Sequence, residues 1–267
     1  MSLIVSMINN KGGVGKSTCS INLAHALALR GLKVLVVDAD SQANTSSIFC
    51  PVKEATLFEV FSGGPVERSV YATSYENLSC LPNHPKTATL ELELYSKVPD
   101  SYFLLRKALR SGFSENYDIC IIDCPPNLGI WVIQALICCD CVVVPVTCGS
   151  RFSIEGLDAA LGHIESLQKK LNKDLFFLRL LVNQVDMRSK DQKAAVAALR
   201  NQFGEEMVFE TVIPRNPAFM EAETNFKTVI REAPNSTGAK SFRVLAEEFV
   251  KLLKIESEEV QLSLMES

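Results

Sequence analysis

Asn10-Lys11-Gly12-Gly13-Val14-Gly15-Lys16-Ser17-Thr18 is the stretch that decides the fold. It follows an apolar run from Leu3 to Ile8, which predicts a buried strand, and it precedes Ile21 to Arg30, which predicts a helix. A glycine-rich turn between a strand and a helix points its backbone N–H groups inward, at the positive end of the helix dipole. The stretch therefore predicts a phosphate site, with Lys16 on the β- and γ-phosphates and the Ser17 hydroxyl on Mg²⁺.

The lysines of this loop distinguish it from the common Walker A motif, which has glycine where Asn10 stands. The run from Lys11 to Thr18 resembles the deviant Walker A loop of the ParA/MinD group of P-loop ATPases. In that family the first lysine crosses a dimer interface to the partner's nucleotide. The resemblance implies an ATP-bound homodimer in which Lys11 and Lys16 are both catalytic. It assigns ATP binding to Lys11, Gly12, Gly13, Val14, Gly15, Lys16, Ser17 and Thr18.

Bulk composition is that of an ordinary globular protein. The chain has 267 residues, 47% hydrophobic and 22% charged residues, and a net charge of −4, which fits one domain and argues against a general polyanion binder. We expect a single P-loop ATPase domain over residues 1–254 and an acidic, flexible tail over 255–267. No apolar run is long enough to cross a bilayer, and the first predicted strand begins at residue 3, so we expect a cytoplasmic protein without a signal peptide.

Two strands that end in aspartates predict the metal site. Val34 to Val37 runs into Asp38-Ala39-Asp40-Ser41-Gln42, which resembles the first switch of the family. By that resemblance Asp40 orients or activates the attacking water, and Asp38 supports the metal shell. Ile119 to Asp123 reads as a Walker B strand, so Asp123 would hold Mg²⁺ through a water. Turn or cap aspartates remain the alternative reading for both strands.

The base side of the nucleotide is predicted further along the chain. A strand from Phe176 to Val182 ends in Asn183-Gln184-Val185-Asp186, close to a guanine-reading motif but with glutamine in place of its lysine. The resemblance favours adenine, hence ATP, with Asn183 at its edge. A further strand from Met207 to Val212 would lead into the family's adenine-side loop, in which Pro214, Arg215 and Asn216 wall the base.

The remaining patterns complete an α/β prediction: a doubly wound, mainly parallel sheet flanked by helices, the P-loop NTPase fold of the deviant Walker A group. Further strands are predicted at Leu78 to Leu81 and Val142 to Pro145, and helices at Leu57 to Phe61, 87–97, 100–111, 153–171 and 239–254. Nine cysteines are scattered among apolar segments, which indicates small buried thiols in a reducing compartment.

The resemblance also implies a function: an ATP-dependent DNA segregation ATPase of plasmid or chromosome partition. It would bind non-specific DNA, hydrolyse ATP slowly under stimulation by a ParB-type centromere-binding protein, and be associated with the nucleoid. A basic segment predicts the DNA contact, although a solvated helix face explains it equally well. Its members are Arg188, Lys190, Lys193, Arg200 and the later Arg215. Alanine stands at position 218, where the family often has an arginine, which weakens this prediction.

Two other functions remain open. One is a MinD-like ATPase that cycles on membranes, but the acidic residues Glu256, Glu258, Glu259 and Glu266 would be repelled by anionic lipid, so we expect no membrane partner. The other is an iron–sulfur-related P-loop ATPase, suggested by the cysteines at 138, 139 and 141.

Overall fold

A computed structural model describes residues 2–51, 53–148 and 152–253. Its sheet has the strand order β3-β4-β2-β5-β1-β6-β7. The strands are β1 Leu3–Met7, β2 Val34–Asp38, β3 Tyr71–Ala72, β4 Leu78–Leu81, β5 Ile119–Asp123, β6 Cys141–Thr147 and β7 Phe176–Asn183. The short edge strand β3 is antiparallel to β4, and the other pairings are parallel.

Helices connect the strands and cover both faces of the sheet. They are α1 Lys16–Ala28, α2 Asn44–Phe49, α3 Leu57–Phe61, α4 Glu91–Ser96, α5 Leu104–Arg110, α6 Ile130–Cys138, α7 Phe152–Leu171, α8 Lys190–Phe203, α9 Ala218–Thr224, α10 Val229–Glu232 and α11 Thr237–Leu253. Turns of 3₁₀ helix occur at Val66–Ser69, Pro85–Leu90, Asp100–Phe103, Phe113–Asn116 and Glu205–Met207. The doubly wound, mainly parallel architecture expected from the sequence is confirmed.

The apolar core forms one layer on each face of the sheet. On one face α1 and α11 pack together, and α11 buries Phe242, Leu245 and Phe249 completely. Each such side chain contributes about 1.5–3 kcal/mol when it is removed from water. Helices α5 and α6 help to cover the opposite face. Eight of the nine cysteines are buried and Cys148 is partly buried, which agrees with the prediction of small core thiols.

Strand order determines where the polar residues meet. The central strand β1 lies between β5 and β6, and β2 lies on the other side of β5. Met7 and Asp38 are both in register with Asp123. The loop after β1 and the aspartates that end β2 and β5 therefore meet at the carboxyl edge of the sheet, where open α/β sheets bind ligands.

One predicted strand is absent and several short elements were not foreseen. Residues 207–212 form no strand; an isolated bridge joins Val208 to Leu180. The N–H groups of Glu210 and Thr211 donate instead to the carboxylate of Glu248 on α11. Because a side chain satisfies these backbone donors, the segment runs beside β7 without continuing the sheet. Helix α1 begins at the P-loop lysine, five residues before the predicted start, and the apolar pattern alone missed α2, β3, α9 and α10.

Two sequence-based predictions lie outside the described residues: the domain boundary at residue 254 and the acidic tail over 255–267. Within the described ranges, no helix is both long and apolar enough to cross a membrane.

Candidate nucleotide and magnesium site

The glycine-rich loop has the backbone that a phosphate cradle requires. Gly13 and Gly15 have φ values of 76° and 87°, in the left-handed region that favours glycine. At Gly15 space is restricted as well, because a Cβ atom there would lie 2.2 Å from Nδ2 of Asn183. That amide donates to the carbonyl of Val14 at 2.8 Å. Asn183, which the sequence predicts as a base contact, therefore stabilises the phosphate loop through this hydrogen bond.

Lys16 is the buried cation of the loop. It begins α1 and is only 7% exposed. Its Nζ donates to the carbonyl of Lys11 at 3.2 Å. Burial lowers the pKa of Lys16, while the neighbouring carboxylates of Asp123 and Asp40 act in the opposite direction. The ammonium is thus held at the loop. Burial disfavours its positive charge, and the negative charge of a bound phosphate would stabilise it.

Two hydroxyl groups hydrogen-bond the fully buried carboxylate of Asp123. Thr45 Oγ1 donates to Oδ2 at 2.6 Å, and Ser20 Oγ donates to Oδ1 at 3.1 Å. Burial raises the pKa of Asp123, and the hydroxyls of Thr45 and Ser17 oppose that rise. Sequence reasoning missed Thr45 and Ser20. The only signal in the sequence was a hydroxyl side chain about one helical turn after a motif: Thr45 follows the first switch, and Ser20 follows the P-loop lysine.

Asp38 lies beside Asp123 and is also fully buried. Its Oδ2 accepts hydrogen bonds from the N–H and the hydroxyl of Ser46, at 2.8 and 2.6 Å. Burial and the charge of Asp123 raise the pKa of Asp38. Two adjacent buried carboxylates and the Ser17 hydroxyl supply oxygen ligands of the type that Mg²⁺ prefers, and a cation would relieve their mutual repulsion. The residues present therefore fit the metal.

Asp40 follows β2 and faces the nucleotide cleft. Its Oδ1 accepts the N–H of Gln42 at 3.0 Å, and its own N–H donates to Asp38 Oδ1 at 3.1 Å. The hydrogen bond from Gln42 thus holds the Asp40 carboxylate in place, and the hydrogen bond to the buried Asp38 fixes the backbone of the same loop. This placement is compatible with a residue that positions a water, and that role stays a prediction.

A cleft of about 760 Å³ opens from the glycine-rich loop. One wall consists of α2 and the other of α9 and the residues that follow it. The α9 side contributes Phe219, Met220, Glu223, Thr224, Phe226 and Lys227; sequence reasoning assigned none of these six residues to the nucleotide.

The predicted base-side residues are not brought together in the cleft. Among the described residues that line it, none belongs to 214–216. Arg215 is exposed, and its N–H donates to Val185 O at 2.9 Å. Asn216 stabilises the start of α9, since its Oδ1 accepts the N–H of Ala218 at 2.9 Å. The role of Asn183, Pro214, Arg215 and Asn216 in adenine binding stays a prediction.

Comparison with known proteins agrees with this geometry. A family model described as an AAA domain matches residues 2–177. The chain is 38% identical to the chromosome-partitioning ATPase Soj of Thermus thermophilus over 91% of this chain and 94% of that protein. It is 36% identical to the sporulation initiation inhibitor protein Soj of Bacillus subtilis, over 93% of this chain and 98% of that protein.

Solved structures show the same fold, in one case with bound nucleotide. The cobyrinic acid a,c-diamide synthase of Mycobacterium smegmatis, crystallised with ADP and magnesium, aligns with a TM-score of 0.82 at 25% identity, over 95% of this chain and 96% of that one. The cell division ATPase MinD of Pyrococcus furiosus aligns with a TM-score of 0.75 at 28% identity, over 94% of this chain and all of that one.

The deviant phosphate loop, the paired buried aspartates and relatives that span nearly the whole chain agree on one assignment. ATP and Mg²⁺ are the cofactors of the site, and its chemistry is ATP hydrolysis. The chain belongs to the ParA-type family of partition ATPases, the Soj/ParA branch of the P-loop NTPases with a deviant Walker A motif.

Proposed function

We propose that this ATPase segregates plasmid or chromosome copies by cycling between an ATP-bound dimer on DNA and a released, ADP-bound form. Mg·ATP binds at Gly12 to Thr18, and two subunits close face to face over their nucleotides. The dimer binds DNA without sequence preference. Slow hydrolysis, with Asp40 positioning the water, then frees the DNA, and a ParB-type centromere-binding partner stimulates that step.

The observation that carries this proposal is the contrast between the two lysines of the loop. Lys16 is buried and lines the cleft of its own chain. Lys11 is exposed and lies outside the described lining of that cleft. An exposed lysine at the loop entrance is well placed to reach the phosphates of a second copy. Two such contacts related by a two-fold axis would make dimerisation depend on the triphosphate.

The proposed DNA surface lies at the start of α8. Arg188, Lys190 and Lys193 are exposed there, and Arg215 is exposed on the later base-side loop. The guanidinium of Arg200 differs from them, because it donates to the carbonyls of Phe209 and Glu210 at 3.2 and 2.9 Å. We therefore assign Arg200 mainly a structural role and leave phosphate contact to the other four.

A hydrogen bond links the nucleotide loop to the segment that precedes this surface. Gln184 has a φ of 58° and donates through Nε2 to the carbonyl of Gly13 at 2.9 Å. Four residues later the chain reaches Arg188, whose N–H donates to Asp186 Oδ1 at 3.0 Å. A shift of the Gly13 backbone on phosphate binding would therefore move Gln184 and the segment that leads into α8. This connection supports nucleotide-dependent DNA binding.

Fluorescence anisotropy with a labelled random-sequence duplex tests the proposal. The protein is titrated with ADP, with ATP and with a non-hydrolysable ATP analogue, each at several salt concentrations. We expect tight binding only with the triphosphates, and an affinity that falls steeply with salt because counterions are released. Equal affinity with ADP and ATP, or no binding in either state, would contradict the proposed cycle.

A matched pair of variants tests the surface itself. The double variant Lys190→Ala/Lys193→Ala removes two exposed charges from α8, and Lys86→Ala/Lys107→Ala removes two exposed charges elsewhere. The α8 variant should lower the slope of log affinity against log salt by about one unit for each DNA phosphate that no longer has a lysine beside it. The control should retain the slope of the parent protein.

Co-sedimentation with anionic vesicles in ATP tests the MinD-like alternative. We expect the protein to stay in the supernatant, in keeping with a place on the nucleoid in the cytoplasm, whereas ATP-dependent pelleting would favour a membrane cycle.

A further inference from the structure

Helix α2 has little to stabilise it locally. It spans the six residues Asn44–Phe49 and has no side-chain hydrogen bond at its N-cap. The residue before it, Ala43, has a φ of 57°, a conformation that is unfavourable for any residue with a Cβ atom. A helix this short does not form on its own in water. Its position must therefore be fixed by tertiary contacts.

Besides the packing of Phe49 against Tyr75, those contacts include hydrogen bonds to the two buried aspartates of the metal site. Thr45 and Ser46 are both fully buried. The Thr45 hydroxyl donates to Asp123 Oδ2 at 2.6 Å, and the Ser46 hydroxyl donates to Asp38 Oδ2 at 2.6 Å. Neighbouring residues of one helix thus hold the ends of two neighbouring strands. The Thr45 bond is the link between α2 and the Walker B carboxylate.

We propose that Thr45 is a positioning residue of the magnesium site. Its hydroxyl fixes the orientation of the Asp123 carboxylate and couples occupancy of the metal site to the placement of α2. This inference rests on the magnesium site proposed at Ser17, Asp38 and Asp123, and does not depend on DNA binding or on a partner protein.

Both carboxylate oxygens of Asp123 accept hydrogen bonds, and these bonds fix the orientation of the carboxylate. Oδ2 is taken by Thr45, while Oδ1 accepts Ser20. With the Ser17 hydroxyl on Mg²⁺, as we expect, Thr45 and Ser20 are the partners that keep the carboxylate in place. Partners of this kind, one step removed from the metal, alter metal affinity by about 10- to 100-fold when they are removed.

Other residues of the same helix connect Thr45 to the nucleotide cleft. Asn44, Ser47 and Ile48 of α2 line the nucleotide cleft. The preceding loop carries Asp40, whose carbonyl accepts the N–H of Ala43 at 2.9 Å. A shift of Asp123 that was transmitted through Thr45 would therefore move a cleft wall and the switch loop together.

Metal binding measured directly is the first test. Mn²⁺ is titrated against the protein saturated with a non-hydrolysable ATP analogue, and free Mn²⁺ is followed by electron paramagnetic resonance. Thr45→Val keeps the shape of the side chain but removes the donor, and we expect it to weaken Mn²⁺ binding by about 10- to 100-fold. Thr45→Ser restores the donor and should bind within about threefold of the parent protein. Nucleotide affinity in EDTA should be the same for all variants, because the effect passes through the metal site.

A control variant separates this role from general destabilisation. Ser101 is buried, and its hydroxyl donates to Leu94 O at 2.6 Å, far along the chain from the site. Ser101→Ala loses a comparable buried hydrogen bond and should leave Mn²⁺ affinity unchanged. If Thr45→Val does not fold, Thr45→Ala carries the same expectation, since alanine favours the helix.

Hydrogen exchange tests the coupling. In the parent protein with bound nucleotide, added Mg²⁺ should slow exchange of the amides of residues 44–49, and in Thr45→Val this slowing should disappear. The proposal is overturned if folded Thr45→Val binds Mn²⁺ as tightly as the parent protein. It is equally overturned if Thr45→Ser is as weak as Thr45→Val, if Ser101→Ala is equally impaired, or if exchange of α2 responds to Mg²⁺ without the hydroxyl.

Discussion

Alanine substitutions at three glycines of the phosphate loop separate two reasons for glycine that a motif does not distinguish. Gly12 has an ordinary φ and open space where a Cβ would lie; Gly13 has open space but a φ of 76°. Gly15 has a φ of 87°, and its Cβ would approach Asn183 Nδ2 to 2.2 Å. Alanine at Gly12 therefore meets no constraint, alanine at Gly13 meets backbone strain alone, and alanine at Gly15 meets backbone strain together with a steric clash.

The expected losses of stability follow from these differences. A left-handed conformation is unfavourable for alanine by about 1–2 kcal/mol, so Gly13→Ala should lower the free energy of unfolding by that amount. At Gly15 the methyl group also displaces the amide of Asn183 from the carbonyl of Val14. Loss of that buried hydrogen bond adds about 1–3 kcal/mol. Gly15→Ala should thus lose about 2–5 kcal/mol and Gly12→Ala less than about 0.5 kcal/mol.

Urea unfolding of the nucleotide-free protein measures these differences without a contribution from phosphate binding. The double variant Gly15→Ala/Asn183→Ala provides a further check, since removal of the asparagine side chain relieves the clash. It should be less destabilised than the sum of its two single variants. The reasoning is refuted if Gly15→Ala and Gly13→Ala are equally stable, or if the two changes at Gly15 and Asn183 are strictly additive.

Three further predictions concern single residues. Lys16→Ala should abolish measurable nucleotide affinity in calorimetry, because the cleft loses its buried cation. Asp40→Ala should retain ATP binding but lose phosphate release in a malachite green assay; normal turnover would remove Asp40 from the catalytic role. Burial lowers the pKa of His25 to about 4, so the unfolded chain binds more protons between that pH and about 6.5. Stability should therefore fall as the pH drops through this window, and His25→Gln should reduce that dependence in urea unfolding.

The sequence predicted the positions of the site residues better than it predicted the boundaries of the surrounding helices and strands. The P-loop, Asp38 and Asp123 were predictable because each follows an apolar strand whose carboxyl end must lie at one edge of a parallel sheet. The first helix was placed too late, since glycines and a lysine gave no apolar periodicity, although the helix begins at Lys16. These residues show that a chemical motif locates a site even where hydrophobic patterning misjudges its boundaries.

What escaped prediction depends on partners that are distant along the chain. The pairing of Thr45 with Asp123 joins residues 78 positions apart, and no local pattern marks it. The strand expected over Met207 to Val212 does not form, because Glu248 on the last helix accepts the N–H groups of Glu210 and Thr211. Tertiary contacts of this kind override local propensity, so only a structure reveals them.

The central claim is that the triphosphate joins two copies, each completing the other's site with Lys11. Static light scattering of Asp40→Ala with Mg·ATP at micromolar concentration tests it most directly. We predict a mass twice the 29.4 kDa of one chain, and a return to the single-chain mass when Lys11→Ala is added, with ATP still bound. A single-chain mass for ATP-loaded Asp40→Ala, or an undiminished dimer without Lys11, would contradict the account.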